Sequence, residues 1–154
     1  MQNEGKTIVA SATAPGTSAI AIVRLSGNKA ISIADRVFRS VYGKPLAKQK
    51  SHTIHLGHVV QNDSTLDKVL VSLFKGPNSY TGEDVVEISC HGNIHICETV
   101  ISEAVKLGAR IAEPGEYTKR AFVNGKLNLL QAESVIHLIN AKSIEAVKQQ
   151  TKNL

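Results

Sequence analysis

The chain has 154 residues, 42% of them hydrophobic and 20% charged, and 18 basic against 13 acidic side chains leave a formal net charge of +5. This is the size and mix of one ordinary domain that can bury a core without staples, which excludes a mostly disordered or collagen-like chain. The longest purely apolar run, Ala19–Val23, is far short of the roughly 20 residues that cross a bilayer. No charged-then-apolar leader precedes the first expected strand, so the expected compartment is the cytoplasm, with no membrane partner. The basic excess favours anionic partners such as RNA or phosphates. The basic residues are scattered, however, and the densest cluster, Lys44, Lys48 and Lys50, falls in an expected loop. With 4% aromatic residues and no Trp, no stacking platform for single-stranded bases is visible.

In chain order, Thr7–Ala12 and Ser18–Arg24 are β-rich runs around Pro15-Gly16 and predict a hairpin. Ser26 reads as an N-cap for a helix whose stripe is Ala30, Ile31, Ile33, Ala34, Val37 and Phe38, ended by Gly43 and Pro45. Ser51–Val60 and Leu66–Phe74 flank the polar turn Gln61–Ser64 and predict a second hairpin. Lys75–Glu83 is a loop and Asp84–Cys90 a strand, broken by His91-Gly92-Asn93. A helix follows to about Val105, closed by Gly108, and then a short extended piece at Arg110–Ala112. Pro114-Gly115-Glu116 opens a helix to about Asn124. Asn128 and Gln131 have capping-box spacing, and the stripe Leu129, Ala132, Ile136, Ile139 continues through Ile144 and Val147 as one last helix. A stripe that long must pack on something, so the chain is expected to be the N-terminal fragment of a longer protein. The order of elements predicts an α+β fold with a largely antiparallel sheet and packed helices.

Neither G-x-x-x-x-G-K-[ST] nor G-x-G-x-x-G occurs. This chain alone is therefore expected neither to bind nor to hydrolyse GTP. The two cysteines, Cys90 and Cys97, are too few for a disulfide framework and read as reduced, partly buried thiols. With His91 and His95 they form a poor zinc pattern, and His52, His55 and His58 cannot all share one strand face, so no metal site is expected. Arg24 and Glu87 are charges within apolar β-runs. A buried charge is costly unless paired, so either both face solvent, or they pair with each other, or they meet a ligand. Lys126 by itself reads as a surface lysine.

Three blocks carry a resemblance. They are Thr7–Ala10 with Ala19–Gly27, then Gly76–Asp84, then Pro114–Phe122 running on through Asn124–Leu127 to Gln131–Glu133. In this order they resemble the N-terminal region of the tRNA-modification GTPase family called MnmE or TrmE. The chain departs from the family's usual residues at Asn93, where Gly is common, and at Asn128, where Asp is common. The resemblance implies a fold similar to the tetrahydrofolate-binding domain of the glycine-cleavage aminomethyltransferase. Residues 1–124 would be a folate-binding and dimerisation domain and 125–154 the first helix of a helical domain. A GTPase domain with its GTP, magnesium and potassium would lie outside this chain. It also implies a tetrahydrofolate derivative, 5-formyl- or methylene-, held by Arg24, Glu87 and Lys126. No catalytic residue is implied within these residues. The implied partners are a second copy of the chain, a flavin-dependent MnmG (GidA) protein, and tRNA modified at wobble uridine 34. Two other readings compete, a non-catalytic basic RNA-binding module and a small metal enzyme.

Overall fold

The computed structural model describes residues 5–154. Strands β1 (Ile8–Ser11), β2 (Ser18–Ser26), β3 (Phe38–Ser40), β4 (Thr53–Gln61), β5 (Ser64–Phe74), β6 (Val85–Gly92) and β7 (Arg110–Ile111) form one sheet, ordered β3-β4-β5-β6-β2-β1-β7. Every pairing is antiparallel except the parallel β1–β7 contact. The helices are α1 (Ala30–Val37), α2 (Ile94–Lys106), α3 (Glu116–Val123), α4 (Leu129–Ile139) and α5 (Ile144–Thr151), with a short 3-10 turn at Leu46–Lys48. The fold is α+β, with a largely antiparallel open sheet. Among the described residues no helix is long and apolar enough to cross a membrane.

The chain divides into two compact units. One is residues up to Ser79 together with Glu83–Ala112; the other is Tyr80–Gly82 with Glu113–Leu154. In the first unit the strand alternation builds a single core. Leu25, Val86 and Leu73 form one cross-strand row, and Val23, Ile88 and Val71 the next. All six are fully buried, each contributing about 1.5–3 kcal/mol over exposure. Ala30, Ile33, Ala34 and Val37 of α1 and Val100 and Ala104 of α2 close that face. Gln61 and Lys106 both donate to Glu103 of α2, each at 3.0 Å. The hydrogen bond from Lys106, then that from Gln61, holds the Glu103 carboxyl below its ordinary value.

Both hairpins form as the sequence predicts. The second turns on Asn62 and Asp63, both with positive φ, which Asn and Asp tolerate best among residues other than glycine. Several expectations are corrected. Ser26 does not cap α1: it ends β2, pairs with Ile8 and Val85, and its hydroxyl donates to Glu83 Oε1 at 2.8 Å. The start of α1 is held by Thr7 Oγ1, which accepts from the Lys29 N–H at 2.9 Å. Phe38 leaves the helix and opens β3. His91 and Gly92 belong to β6 and do not break it, because they pair with Ile20 and Ser18 at the far end of β2. The last helix is two helices. Asn140 caps the C-terminus of α4, and the Ser143 hydroxyl accepts the Ala146 N–H at 3.1 Å to start α5.

In the second unit, α4 begins with the expected capping box. Asn128 Oδ1 accepts the Gln131 N–H at 2.8 Å, and Gln131 Oε1 accepts the Asn128 N–H at 2.9 Å. A Glu116–Arg120 ion pair at 3.2 Å, with Arg120 buried and Glu116 partly so, stabilises α3.

Candidate functional site

The three predicted residues divide between the units. Arg24 on β2 and Glu87 on β6 are direct cross-strand partners in the first unit. Strand parity places them on the face opposite α1 and α2, in a row that runs Ala10, Arg24, Glu87, Ser72, Ile54 across five strands. Arg24 Nη2 lies 3.6 Å from Glu87 Oε2, with side chains 27% and 23% exposed. So of the alternatives left open by the sequence, the two charges do pair. At this distance the contact is an ion pair and not a hydrogen bond. The Glu87 oxygens therefore retain lone pairs for a further donor.

The next row on this face is Ile22, Ser89, Leu70 and Leu56. A groove of about 290 Å³ lies here, lined by Ile20, Leu56, Leu70, Ser89, Lys68 and His91. Asp67 fixes His91 at its edge. One carboxylate oxygen accepts the His91 N–H at 2.9 Å, and the other lies 2.8 Å from the ring Nδ1. An apolar groove beside a partly shielded charge pair can hold a flat organic ligand by its faces and hydrogen-bond it at one edge.

Lys126 lies in the second unit, exposed, just past the end of α3. Its N–H donates to Ala121 O at 2.8 Å. Its stem runs beside Gly82, where an added Cβ would come within 3.3 Å of Lys126 Cγ and 3.1 Å of Asn124 Cβ. Gly82 has φ +81°, so the position requires glycine on conformational grounds as well. Asn124 donates to Thr81 O at 2.8 Å, and Tyr80 Oη lies 2.9 Å from Thr118 Oγ1. These contacts fix residues 80–82 against α3 and the turn that presents Lys126.

Sequence reasoning missed the polar ties that shape the loop between β5 and β6. Asp84 Oδ1 accepts the Gly76 N–H at 2.8 Å, and the Ser79 hydroxyl donates to Glu83 O. The Ser26–Glu83 bond joins the same loop to the end of β2. Their signal was present as the polar residues of the Gly76–Asp84 block, but each partner lies in a different element. Among the described residues, no group of three or more His, Cys, Asp or Glu side chains could hold a metal ion.

The sequence profile described as "GTP-binding protein TrmE N-terminus" matches residues 7–126. The tRNA modification GTPase MnmE of Flavobacterium johnsoniae is 57% identical over 135 residues, covering 88% of this chain and 29% of that protein. The protein of the same name from Thermoanaerobacter pseudethanolicus is 49% identical over 150 residues, covering 96% and 33%. That of Bacillus subtilis is 51% identical over 143 residues, covering 92% and 31%. The chain thus spans about a third of the length of the curated relatives it matches. With the matched region taking in β1 through α3 and the Arg24–Glu87 pair, the chain belongs to the TrmE N-terminus family.

Proposed function

We propose that this chain is the folate-binding, dimer-forming N-terminal part of a cytoplasmic GTPase that modifies tRNA. With a flavin-dependent MnmG (GidA) partner, that GTPase would add a carboxymethylaminomethyl-type group to C5 of wobble uridine 34 in certain tRNAs. Residues 1–124 form the folate-binding and dimerisation domain, with the fold of the aminomethyltransferase folate domain, and 125–154 open the helical domain. GTP, magnesium and potassium act on the rest of that larger protein.

The observation that carries the reading is the Arg24–Glu87 pair, two charges in cross-strand register on a half-exposed face beside an apolar groove. The donor set fits a tetrahydrofolate. A carboxylate such as Glu87 accepts paired hydrogen bonds from the N–H edge of a pterin, and Arg24 offers a forked donor to carbonyl or carboxylate oxygens. Lys126 is proposed as a folate contact on the family resemblance, and as a cation it suits an acidic ligand. When bound, a 5-formyl- or methylene-tetrahydrofolate would supply the one-carbon unit for the uridine.

Titration calorimetry with 5-formyl-tetrahydrofolate tests this. Losing one charge-assisted hydrogen bond costs about 1.5–3 kcal/mol, so Arg24→Ala and Glu87→Ala should each weaken binding by about ten- to a hundredfold. Lys126→Ala, at an exposed position, should weaken it less. Wild-type affinity in the Arg24 and Glu87 variants, with circular dichroism unchanged, removes the site assignment. No folate binding together with salt-sensitive RNA binding selects the basic RNA-binding module instead.

A further inference from the structure

Two thiols meet on the core side of the sheet. Cys90 is on β6, 3% exposed, and its thiol donates to Ala21 O at 3.4 Å. Cys97 is in the first turns of α2, half-buried, and its sulfur lies 3.9 Å from that of Cys90. Cys97 also lines a cleft of about 120 Å³ beside Ser11, Thr13, Pro15 and Glu98. Cys97 therefore borders space that a small molecule can enter, and the Cys90 sulfur lies 3.9 Å from its own. The sequence contains only these two cysteines, so neither has a competing partner within the chain.

We propose that Cys97 and Cys90 form a peroxide-reactive thiol pair that closes reversibly to a disulfide, stapling β6 to α2. In the first step the Cys97 sulfur attacks one oxygen of a hydroperoxide. The O–O bond breaks, the distal oxygen leaves as water with the thiol proton, and Cys97 becomes a sulfenic acid. In the second step the Cys90 sulfur attacks the Cys97 sulfur and the S–O bond breaks. The leaving hydroxide takes the Cys90 proton and departs as water. Two thiols have then lost two electrons, and one molecule of hydrogen peroxide has become two of water. A small-molecule thiol reverses the change by exchange.

The order of events follows from exposure, since Cys97 is half-buried at the edge of its cleft while Cys90 is 3% exposed. Burial, then the nearby Cys97, pushes the Cys90 thiol up to about 12. Cys90 is therefore the poorer nucleophile toward a peroxide, and its attack on the Cys97 sulfur requires that its proton be lost in the same step. The sulfurs sit at van der Waals separation and must approach by about 2 Å to bond, a movement of the order of one side-chain rotation. The staple would act on the strand that carries Glu87, three residues before Cys90.

The test uses the 154-residue chain in native buffer. After hydrogen peroxide treatment and alkylation, its mass should fall by about 2 Da from the two hydrogens lost, with no alkyl group added. Peptide mapping should recover Cys90 joined to Cys97, and dithiothreitol should restore two alkylatable thiols. Cys90→Ala should instead accumulate a Cys97 sulfenic acid trapped by dimedone, and Cys97→Ala should leave Cys90 unmodified. The wild-type map decides alone if a variant misfolds. Two alkylatable thiols after peroxide, unlinked over-oxidation of Cys97, or disulfides only between chains would each overturn the proposal.

Discussion

Burial sets the chemistry of Cys90 in the folded chain. Its thiol rises from an ordinary 9.0 to about 12, first through desolvation and then through the neighbouring Cys97. Between these two values the unfolded chain loses the proton while the folded chain keeps it. The contribution to stability is therefore complete below about pH 9 and is lost as pH climbs toward about 12. Urea denaturation at pH 7.5 and pH 10 should show the wild type losing about 1 kcal/mol more than Cys90→Ala over this interval. Equal losses in the two proteins would mean that the folded state does not hold this proton. The same residue scale shows how far sequence reached into the candidate site. Strand parity assigns Ile20, Ile22 and Arg24 to one face of β2, and Val85, Glu87 and Ser89 to one face of β6. Whether the two charged faces coincide depends on the register of strands that are not consecutive in sequence. The 3.6 Å pair was for that reason only one of several open readings, and the Cys90–Cys97 contact was not visible at all.

At the scale of elements, short strands depend on what packs over them. The three residues of β3 pair with β4, with Ser40 opposite Gly57 and the Phe38 ring folded over that glycine. A Cβ at Gly57 would lie 2.2 Å from Arg39 O and 2.4 Å from Phe38 Cε2. Neither a backbone carbonyl nor a buried ring can yield cheaply, so Gly57→Ala should cost about 1–3 kcal/mol. Urea denaturation checks it, and a loss under about 0.5 kcal/mol would mean that β3 does not clamp this position. The packing also explains why β3 was missed. Three residues carry no periodic signal, and Phe38 fits the apolar stripe of α1 as well as it fits a strand. Capping shows the converse. Asn128 is followed at the third position by Gln131, so two side chains close the helix start reciprocally. Ser26 is followed at that position by Lys29, which has no acceptor to return the bond, and its hydroxyl goes to Glu83 instead. The reciprocal pair was legible in sequence; the lone serine misled. The break after Ile139 escaped because Ile144 and Val147 keep the apolar spacing while Ser143 starts a new helix.

At the scale of the whole molecule, the expected outcome is self-association. One face of the sheet is closed by α1 and α2. On the other, Ile20, Ile54 and Leu70 are 61%, 67% and 45% exposed. Single exposed apolar residues are ordinary on protein surfaces, but Ile20, Leu56 and Leu70 line one groove, and grouped exposure of this kind marks interaction surfaces. A stable homodimer buries more than about 1,200 Å² and is usually a closed two-fold pair, in which the same patch serves both copies. An apolar interface of this kind is not screened by salt. Sedimentation equilibrium of the 154-residue chain at low and high salt should therefore give the dimer mass in both. Leu70 is exposed, so Leu70→Asp should preserve the fold while placing two charges in the joined surface, and it should sediment as a monomer. A wild-type monomer at both salts would sink the dimer. Dissociation only at high salt would point to ionic contacts in place of the apolar face. A Leu70→Asp dimer would remove the sheet face and leave the exposed apolar side chains of the second unit, Leu129, Ile136, Ile139 and Ile144, as the surface to mutate next.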